Sequence, residues 1–377
     1  MKLRSPARLL ALLVPVALTA CVAPQTRVPQ VDDTRAQEET RKQREMVINE
    51  YVQSYRRLQG VASRIVVSGR ELCGDKVAPY YGFTAWTQEN FGKEWRDVVA
   101  AGFGIDTTPT VASVAPGSVA YQAGMKEGDI VRSVNGWIPS IGKDTIARFN
   151  EKIAAEGKLG VPVEFTVQRG TEEIKLSMMP EQACDFSVDL SPDDVKNAYA
   201  DGSRIVIYKG MMEFFRSDEE VALVVSHELA HNAMKHIDAQ QTNSTVGGIA
   251  GLLLDIAAAL GGVNTGGDFS RAGSAIGAGV YSVDFEKEAD YVGLYFMALA
   301  NYDISDAPNF WRRMATTNSK AITMKSTHPT TPERFLGLET AVGEIKQKIE
   351  HGELLRPELG EIQTSKTTPE QPQVIPH

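Results

Sequence analysis

The sequence has no surplus of positive charge: 39 lysines and arginines stand against 48 aspartates and glutamates, a formal net charge of −9. A body of that sign repels phosphates, which excludes nucleic acid as a partner. Also missing is any succession of long, charge-free apolar runs, so a polytopic membrane protein is excluded. Apolar residues are not depleted either; 42% hydrophobic with 23% charged content is ordinary for a globular chain and excludes wholesale disorder. No segment recurs as an array. A length of 377 residues sets the expectation at two or three domains.

At the N-terminus, Lys2, Arg4 and Arg8 precede an apolar run from Leu9 to Leu18, too short to span a bilayer as a helix. It closes on Leu18-Thr19-Ala20-Cys21, which resembles a bacterial lipobox. The resemblance implies a signal peptide over 1–20, cleavage before Cys21 and a lipid on that cysteine. Its loss removes three cations and no acid, leaving the mature chain more acidic still. Val22, where an aspartate would resemble a retention signal, implies an outer-membrane anchor facing the periplasm. With Cys21 consumed, Cys73 and Cys184 remain, an even number. They either form a disulfide closing a loop of roughly 110 residues, worth ~4 kcal/mol if unstrained, or stay as two buried thiols; the sequence leaves both open.

Residues 21–34 are rich in Pro, Val and Gln without a period, a tether. Over 35–70, Met46, Val47, Tyr51, Tyr55, Leu58, Val61 and Ile65 fall at helical spacing and predict one long helix, followed over 71–97 by short extended segments and turns. Residues 98–182 read as a separate β-rich module: alternation from Val111, turns at Pro116-Gly117 and Gly128-Asp129, the hairpin signal Asn135-Gly136, a helix near Ile146–Ala155 and a strand over 161–167. This order resembles a PDZ domain of the bacterial protease type. The resemblance implies capture of extended peptides by strand addition, with Phe103, Gly104 and Ile105 lining the peptide loop, or else a spacer that keeps only the fold. The end of the chain, disordered from about 356, has four prolines and little apolar content.

The chemistry is concentrated between 183 and 345. Ser217 can cap a helix and Glu220 stands at the capping-box position. That helix carries His227-Glu228-Leu229-Ala230-His231. Histidines four apart share a helical face, so both imidazoles can reach one Zn²⁺, with Glu228 beside them to take a proton from attacking water. A metzincin would need glycine at 234 and histidine at 237; Met234 and Ile237 exclude that class, and His236 reads as a surface helix residue. Downstream lies Asp284-Phe285-Glu286-Lys287-Glu288-Ala289-Asp290. Glu286 and Asp290 share a face; Glu286 can supply the third ligand and Asp290 can accept the ring N–H of a ligating histidine, whereas Glu288 reads as solvated.

The pair of motifs resembles the gluzincin metallopeptidases that include HtpX, BepA, LoiP and the CAAX prenyl proteases. Asn197-Ala198-Tyr199-Ala200 before the strand Arg204–Tyr208, and Ser326-Thr327-His328-Pro329 with Arg334, match further elements of that family. The resemblance implies an α+β fold: a mainly helical zincin core with a small sheet, split into residues 35–97 and 183–345 around the PDZ-like module at 98–182, with a tail from 346. It implies one Zn²⁺ per chain held by His227, His231 and Glu286, Glu228 as general base, and His328 either as a catalytic or gating group or as a packed structural histidine. The expected function is a lipid-anchored endopeptidase of the bacterial envelope acting on misfolded or misassembled proteins, with protein or peptide substrates that align along Ile205–Tyr208 and a membrane attachment through Cys21. The alternative is a lipid-anchored adaptor or chaperone with a plugged, zinc-bound site. Apolar residues from Val246 to Val263 predict a core helix or a flap, with a membrane-resting or self-associating face as the alternative.

Overall fold

The computed structural model describes Thr26 and residues 29–260, 270–271, 282–317 and 332–358. The signal-like segment, Cys21, His328, residues 261–263 of the apolar run and the tail beyond 358 lie outside the described residues. The chain divides into two units, Met1–Gln43 and Arg44–His377. Every described residue of the first is exposed, including the opening turns of helix α1 (Asp33–Ser68). In the second unit Ile48, Val52, Tyr55, Leu58, Ala62 and Ile65 of α1 recur every three or four residues and are buried; of the residues whose spacing predicts the helix, Tyr55, Leu58, Val61 and Ile65 are buried, whereas Met46 and Val47 are exposed.

After α1 come β1 (Val77–Tyr80), β2 (Phe83–Trp86), α2 (Arg96–Phe103), β3 (Thr110–Val114), α3 (Val119–Gln122), β4 (Ile130–Val134), α4 (Thr145–Glu156), β5 (Val163–Arg169), β6 (Glu172–Met178) and β7 (Glu181–Cys184). Strands β2 to β6 form a five-stranded antiparallel sheet in sequential order. Val163, Phe165 and Val167 alternate onto one face and, with Tyr81, Phe149 and Met178, fill a small separate core. The Asn-Gly signal is a tight turn, with Asn135 at φ 47° and Gly136 at φ 78° between the bridged Val134 and Trp137. The sheet takes its first strand from Phe83–Trp86, upstream of residue 98. Below it β1 and β7 pair antiparallel, Val77 opposite Cys184 and Tyr80 opposite Glu181. Cys73 and Cys184 are joined by a disulfide at this neck, their Cα atoms 5.7 Å apart.

The chain continues with β8 (Ser187–Ser191), β9 (Ala198–Ala200), β10 (Arg204–Tyr208), α5 (Lys209–Phe214), α6 (Asp218–Ala233), α7 (His236–Leu260), α8 (Ser282–Leu299), α9 (Ala307–Thr317) and α10 (Pro332–His351). The three strands form a sheet in the order β8-β10-β9, with β10 parallel to β8 and antiparallel to β9. Edge strand β8 is covered by α1: Gln59 Nε2 donates to the Val188 carbonyl at 2.6 Å and the Tyr51 hydroxyl to that of Leu190 at 2.9 Å. Helices α6, α8 and α10 pack with α1 into one large core, which also takes in Trp86, Val98, Val99 and Ile105. The fold is therefore α+β, a helical core with a small sheet plus an inserted β-rich domain. Helix α7 is not a core helix over its apolar stretch: Val246, Ile249, Leu252, Leu253 and Leu254 are exposed. No helix among the described residues is long and apolar enough to cross a membrane.

Candidate metal centre

Helix α6 starts where its cap predicts: Ser217 Oγ accepts the Glu220 N–H at 3.4 Å. The Glu220 carboxylate does not close the box on Ser217. It accepts the Arg216 N–H at 2.7 Å and a two-pronged bond from Arg313 at 2.8 and 2.6 Å. Burial would raise the Glu220 pKa, but these donors outweigh it and hold the carboxyl below its usual range. From Glu220 to Asn232 every residue of α6 is buried. The histidines in so dry a helix need partners, and α8 supplies carboxylates for both.

Gly293 lets the two helices close: a Cβ there would lie 3.2 Å from both Cα and N of His227. One and two turns earlier on α8, Asp290 and Glu286 face the histidines. His227 Nε2 is 3.2 Å from His231 Nε2 and 3.4 Å from Glu286 Oε2, and His231 Nε2 is 3.3 Å from Glu286 Oε1. Ligand bonds of about 2.0–2.1 Å at a tetrahedral zinc put neighbouring donor atoms about 3.3–3.4 Å apart, so this triangle fits the ion. All three residues are buried, and no other group of this kind occurs among the described residues. On the far side of His227, Nδ1 is 3.1 Å from Asp290 Oδ1. Arg334 is buried behind both carboxylates: its Nε and Nη2 reach Asp290 at 2.7 and 2.8 Å, and its Nη1 reaches Glu286 Oε2 at 2.9 Å. The Trp311 ring lies 5.1 Å from that of His227 and 5.5 Å from the Arg334 guanidinium carbon.

Without metal, burial opposes a proton on His227, yet the hydrogen bonds to Asp290 and Glu286 prevail and push its pKa up to about 10. Burial pulls His231 the other way, below its ordinary value. The metal-free centre thus favours the imidazolium form of His227 beside a neutral His231, and a cation bound there must displace the extra proton of His227. Glu228 is buried beside the pair, where its charge acts on both His231 and Arg334.

Four readings of the sequence change. His236 is not a surface residue: α6 ends at Ala233, Lys235 adopts a left-handed φ of 58°, and the chain turns His236 inward to 3% exposure. Its Nδ1 lies 3.0 Å from His231 Nδ1 and its Nε2 2.8 Å from Glu288 Oε2, so Glu288 is engaged rather than merely solvated. Strand β10, expected to receive a substrate at Ile205–Tyr208, has β8 on one side and β9 on the other, which leaves no free edge; β9, packed on α6, is an edge strand. Phe103, Gly104 and Ile105 end helix α2, with Gly104 as its left-handed cap and Ile105 in the large core, instead of bordering the inserted sheet. The same aromatic-glycine-hydrophobic pattern occurs earlier at Tyr81-Gly82-Phe83. There Gly82, at φ 78°, turns the chain into edge strand β2, and a Cβ would collide with Ser118 at 2.1 Å. Beside β2, residues Thr84 and Ala85, with Ile146 and Asn150 of α4, border a cavity of about 370 Å³ that Tyr55 of α1 and Val188 of β8 also line.

Two histidines one turn apart on a buried helix, a glutamate from a second helix and a further glutamate between the histidines define the class of helical metallohydrolases with a His-His-Glu centre. Peptidase family M48 matches residues 166–342, and the PDZ domain family matches 110–137. Over residues 166–342 the chain is therefore similar to peptidase family M48, whose metal is zinc, and it carries a PDZ-like domain. A Vibrio cholerae protein named as a beta-barrel assembly-enhancing protease is 34% identical over 150 residues, 37% of this chain and 31% of its own. The beta-barrel assembly-enhancing protease of Yersinia pestis is 26% identical over 43% of this chain and 35% of its own. The mitochondrial metalloendopeptidase OMA1 of Schizosaccharomyces pombe is 28% identical over 42% of this chain and 47% of its own. The chain thus spans only 31% to 47% of the length of these curated relatives. Among solved structures, the HtrA3 PDZ domain bound to a phage-derived ligand is similar at 21% identity, covering 28% of this chain and 89% of that one with a TM-score of 0.23, which adds nothing to the sheet already described.

Proposed function

We propose that the chain is a zinc endopeptidase that cleaves misfolded or misassembled proteins of a bacterial envelope, lipid-anchored at the outer membrane through Cys21. The observation that carries the peptidase reading is the buried triangle of His227, His231 and Glu286 with Glu228 beside it. The relatives named for beta-barrel assembly-enhancing proteolysis support the envelope reading. In this reading residues 21–34 are the tether, the peptidase domain is split around the PDZ-like domain, and the unpaired edge of β2 beside α4 captures or regulates substrate.

Zinc at this centre supplies Lewis acidity, polarising a carbonyl and acidifying water. Glu228 accepts the proton of the attacking water and returns it to the leaving amine. Asp290, gripped by Arg334, holds the proton of His227 on Nδ1 and so leaves Nε2 free to ligate. An extended substrate pairs along the free edge of β9, Ala198–Ala200, which lies against the zinc helix. Burial of the side chains around Glu228 keeps water from competing for these contacts.

The test is cleavage of a denatured model protein by the zinc-loaded full chain with Cys21→Ser, beside the same protein with Glu228→Gln. Wild-type cleavage with retained zinc and a loss of ~10²–10⁴-fold in the variant is expected. One tightly held zinc with no cleavage by either protein would point instead to the plugged adaptor.

A further inference from the structure

The ligand histidines are backed in different ways, and only one backing is explained by the family pattern. His227 faces Asp290, whose side chain is 4% exposed and fixed by Arg334. Among the described residues, the outer nitrogen of His231 meets a second ring. Its Nδ1 meets Nδ1 of His236 at 3.0 Å, and the opposite nitrogen of His236 meets Glu288 at 2.8 Å.

Resting on the reading of His227, His231 and Glu286 as zinc ligands, we infer that His236 and Glu288 are positioning residues that fix the orientation and tautomer of His231. The directions of the hydrogen bonds are forced. If His231 ligates through Nε2, its only proton is on Nδ1, and that N–H must donate. Nδ1 of His236 is then the acceptor, so His236 carries its proton on Nε2 and donates it to Glu288. One arrangement satisfies every polar atom in the chain from metal ligand to carboxylate. Phe285 stacks on the His236 ring at 4.6 Å with an interplanar angle of 17°, which fixes the plane of the imidazole. Helix α8 thereby serves both ligands: Asp290 acts directly on His227, and Glu288, two residues away, acts on His231 through a second ring. The outcomes differ in depth, because the Glu288 side chain is 52% exposed while that of Asp290 is almost wholly buried.

The experiment measures zinc affinity of the full chain by competition with a chromogenic chelator, and records the visible spectrum of the cobalt-substituted protein. His236→Leu removes the acceptor and should weaken zinc binding about 10–100-fold and alter the cobalt spectrum. His236→Asn restores an acceptor oxygen near the place of Nδ1 and should recover most of the affinity. Glu288→Gln should weaken binding in the wild-type background and add nothing in the His236→Asn background, where the link is already cut. Circular dichroism of the metal-free proteins checks folding; should His236→Leu not fold, the Asn and Glu288→Gln variants decide the question by themselves. Zinc affinity within threefold of wild type in His236→Leu with an unchanged cobalt spectrum overturns the inference, as does an additive effect of Glu288→Gln on His236→Asn. A wild-type chain that holds no zinc, or holds it undiminished after His227→Ala, instead refutes the metal centre itself and removes the basis of the relay with it.

Discussion

Replacing Arg334 by methionine is the sharpest probe of how the centre is held. The guanidinium is 2% exposed and makes a two-pronged bond to Asp290 and a third contact to Glu286, so the substitution keeps the bulk of the stem but strands two buried carboxylates. Breaking a buried pair by removing one partner costs about 3–5 kcal/mol. Against a total stability of roughly 5–15 kcal/mol, that is a large fraction. At about 2–4 °C per kcal/mol it lowers Tm by about 6–20 °C. The assay is thermal unfolding of the metal-free protein, so that zinc does not mask the loss. Adding Asp290→Asn to the methionine variant removes one stranded charge and should return at least ~1 kcal/mol, whereas Asp290→Asn alone should destabilise. Arg334→Lys should recover little, because an ammonium cannot span both carboxylates with the fork. A methionine variant within ~1 kcal/mol of wild type, or a double variant no better than the single, would refute the claim that Arg334 neutralises this pair.

Gly293→Val should cost about 1–3 kcal/mol and weaken zinc binding, since its Cβ would press on the His227 backbone at 3.2 Å; unchanged melting and metal affinity would show that α6 and α8 can separate at no cost. Replacing Cys73 and Cys184 by serine opens a link between residues 111 apart and should lower stability by about 2–5 kcal/mol, read from denaturant unfolding with and without reductant. The depressed Glu220 carboxyl contributes stability that is present above about pH 4.5 and lost as the pH falls through its lowered pKa. Glu220→Gln should therefore be less stable at neutral pH and show a flatter acid limb; an identical acid limb would mean that Arg313 does not depress this group.

What the sequence reveals and what it conceals follow from whether the relevant spacing lies within one helix. His227 and His231, like Glu286 and Asp290, are one turn apart, so a 3.6-residue period alone puts each pair on one face. The role of His236 is hidden because α6 breaks at Lys235, a left-handed residue that is neither Gly nor Asn; with the helix extended through it, His236 points to solvent. Glu288 is hidden for the same reason, since its partner arrives from that turn. Arg334 lies 44 residues beyond Asp290, and no local pattern announces a bond over that interval. The aromatic-glycine pattern at Phe103–Ile105 and at Tyr81–Phe83 is alike in sequence, and only tertiary pairing tells a helix cap from the entry to a sheet edge. The apolar composition of residues 246–263 fits a core helix, a flap or a self-associating face alike, and the exposure of Val246, Ile249, Leu252, Leu253 and Leu254 removes only the core reading, because an apolar helix says nothing of what covers it.

The neck formed by β1 and β7 has a consequence for how such a chain could be shortened. Tyr80 and Glu181 sit opposite one another as the two ends of a hairpin do, so the hundred residues between them occupy the place of a tight turn. Geometrically, a two-residue loop could close that gap. Yet Trp86, Val98, Val99 and Ile105 from the excised stretch lie in the large core against α1, with the Trp86 ring 4.4 Å from that of Tyr55. Cutting the insertion out would leave that face of α1 wet and sticky. A minimal peptidase made from this chain would need Tyr51 and Tyr55 recoloured with polar side chains before it stayed monomeric, so the module is a plug in its host's wall as much as a guest on its loop.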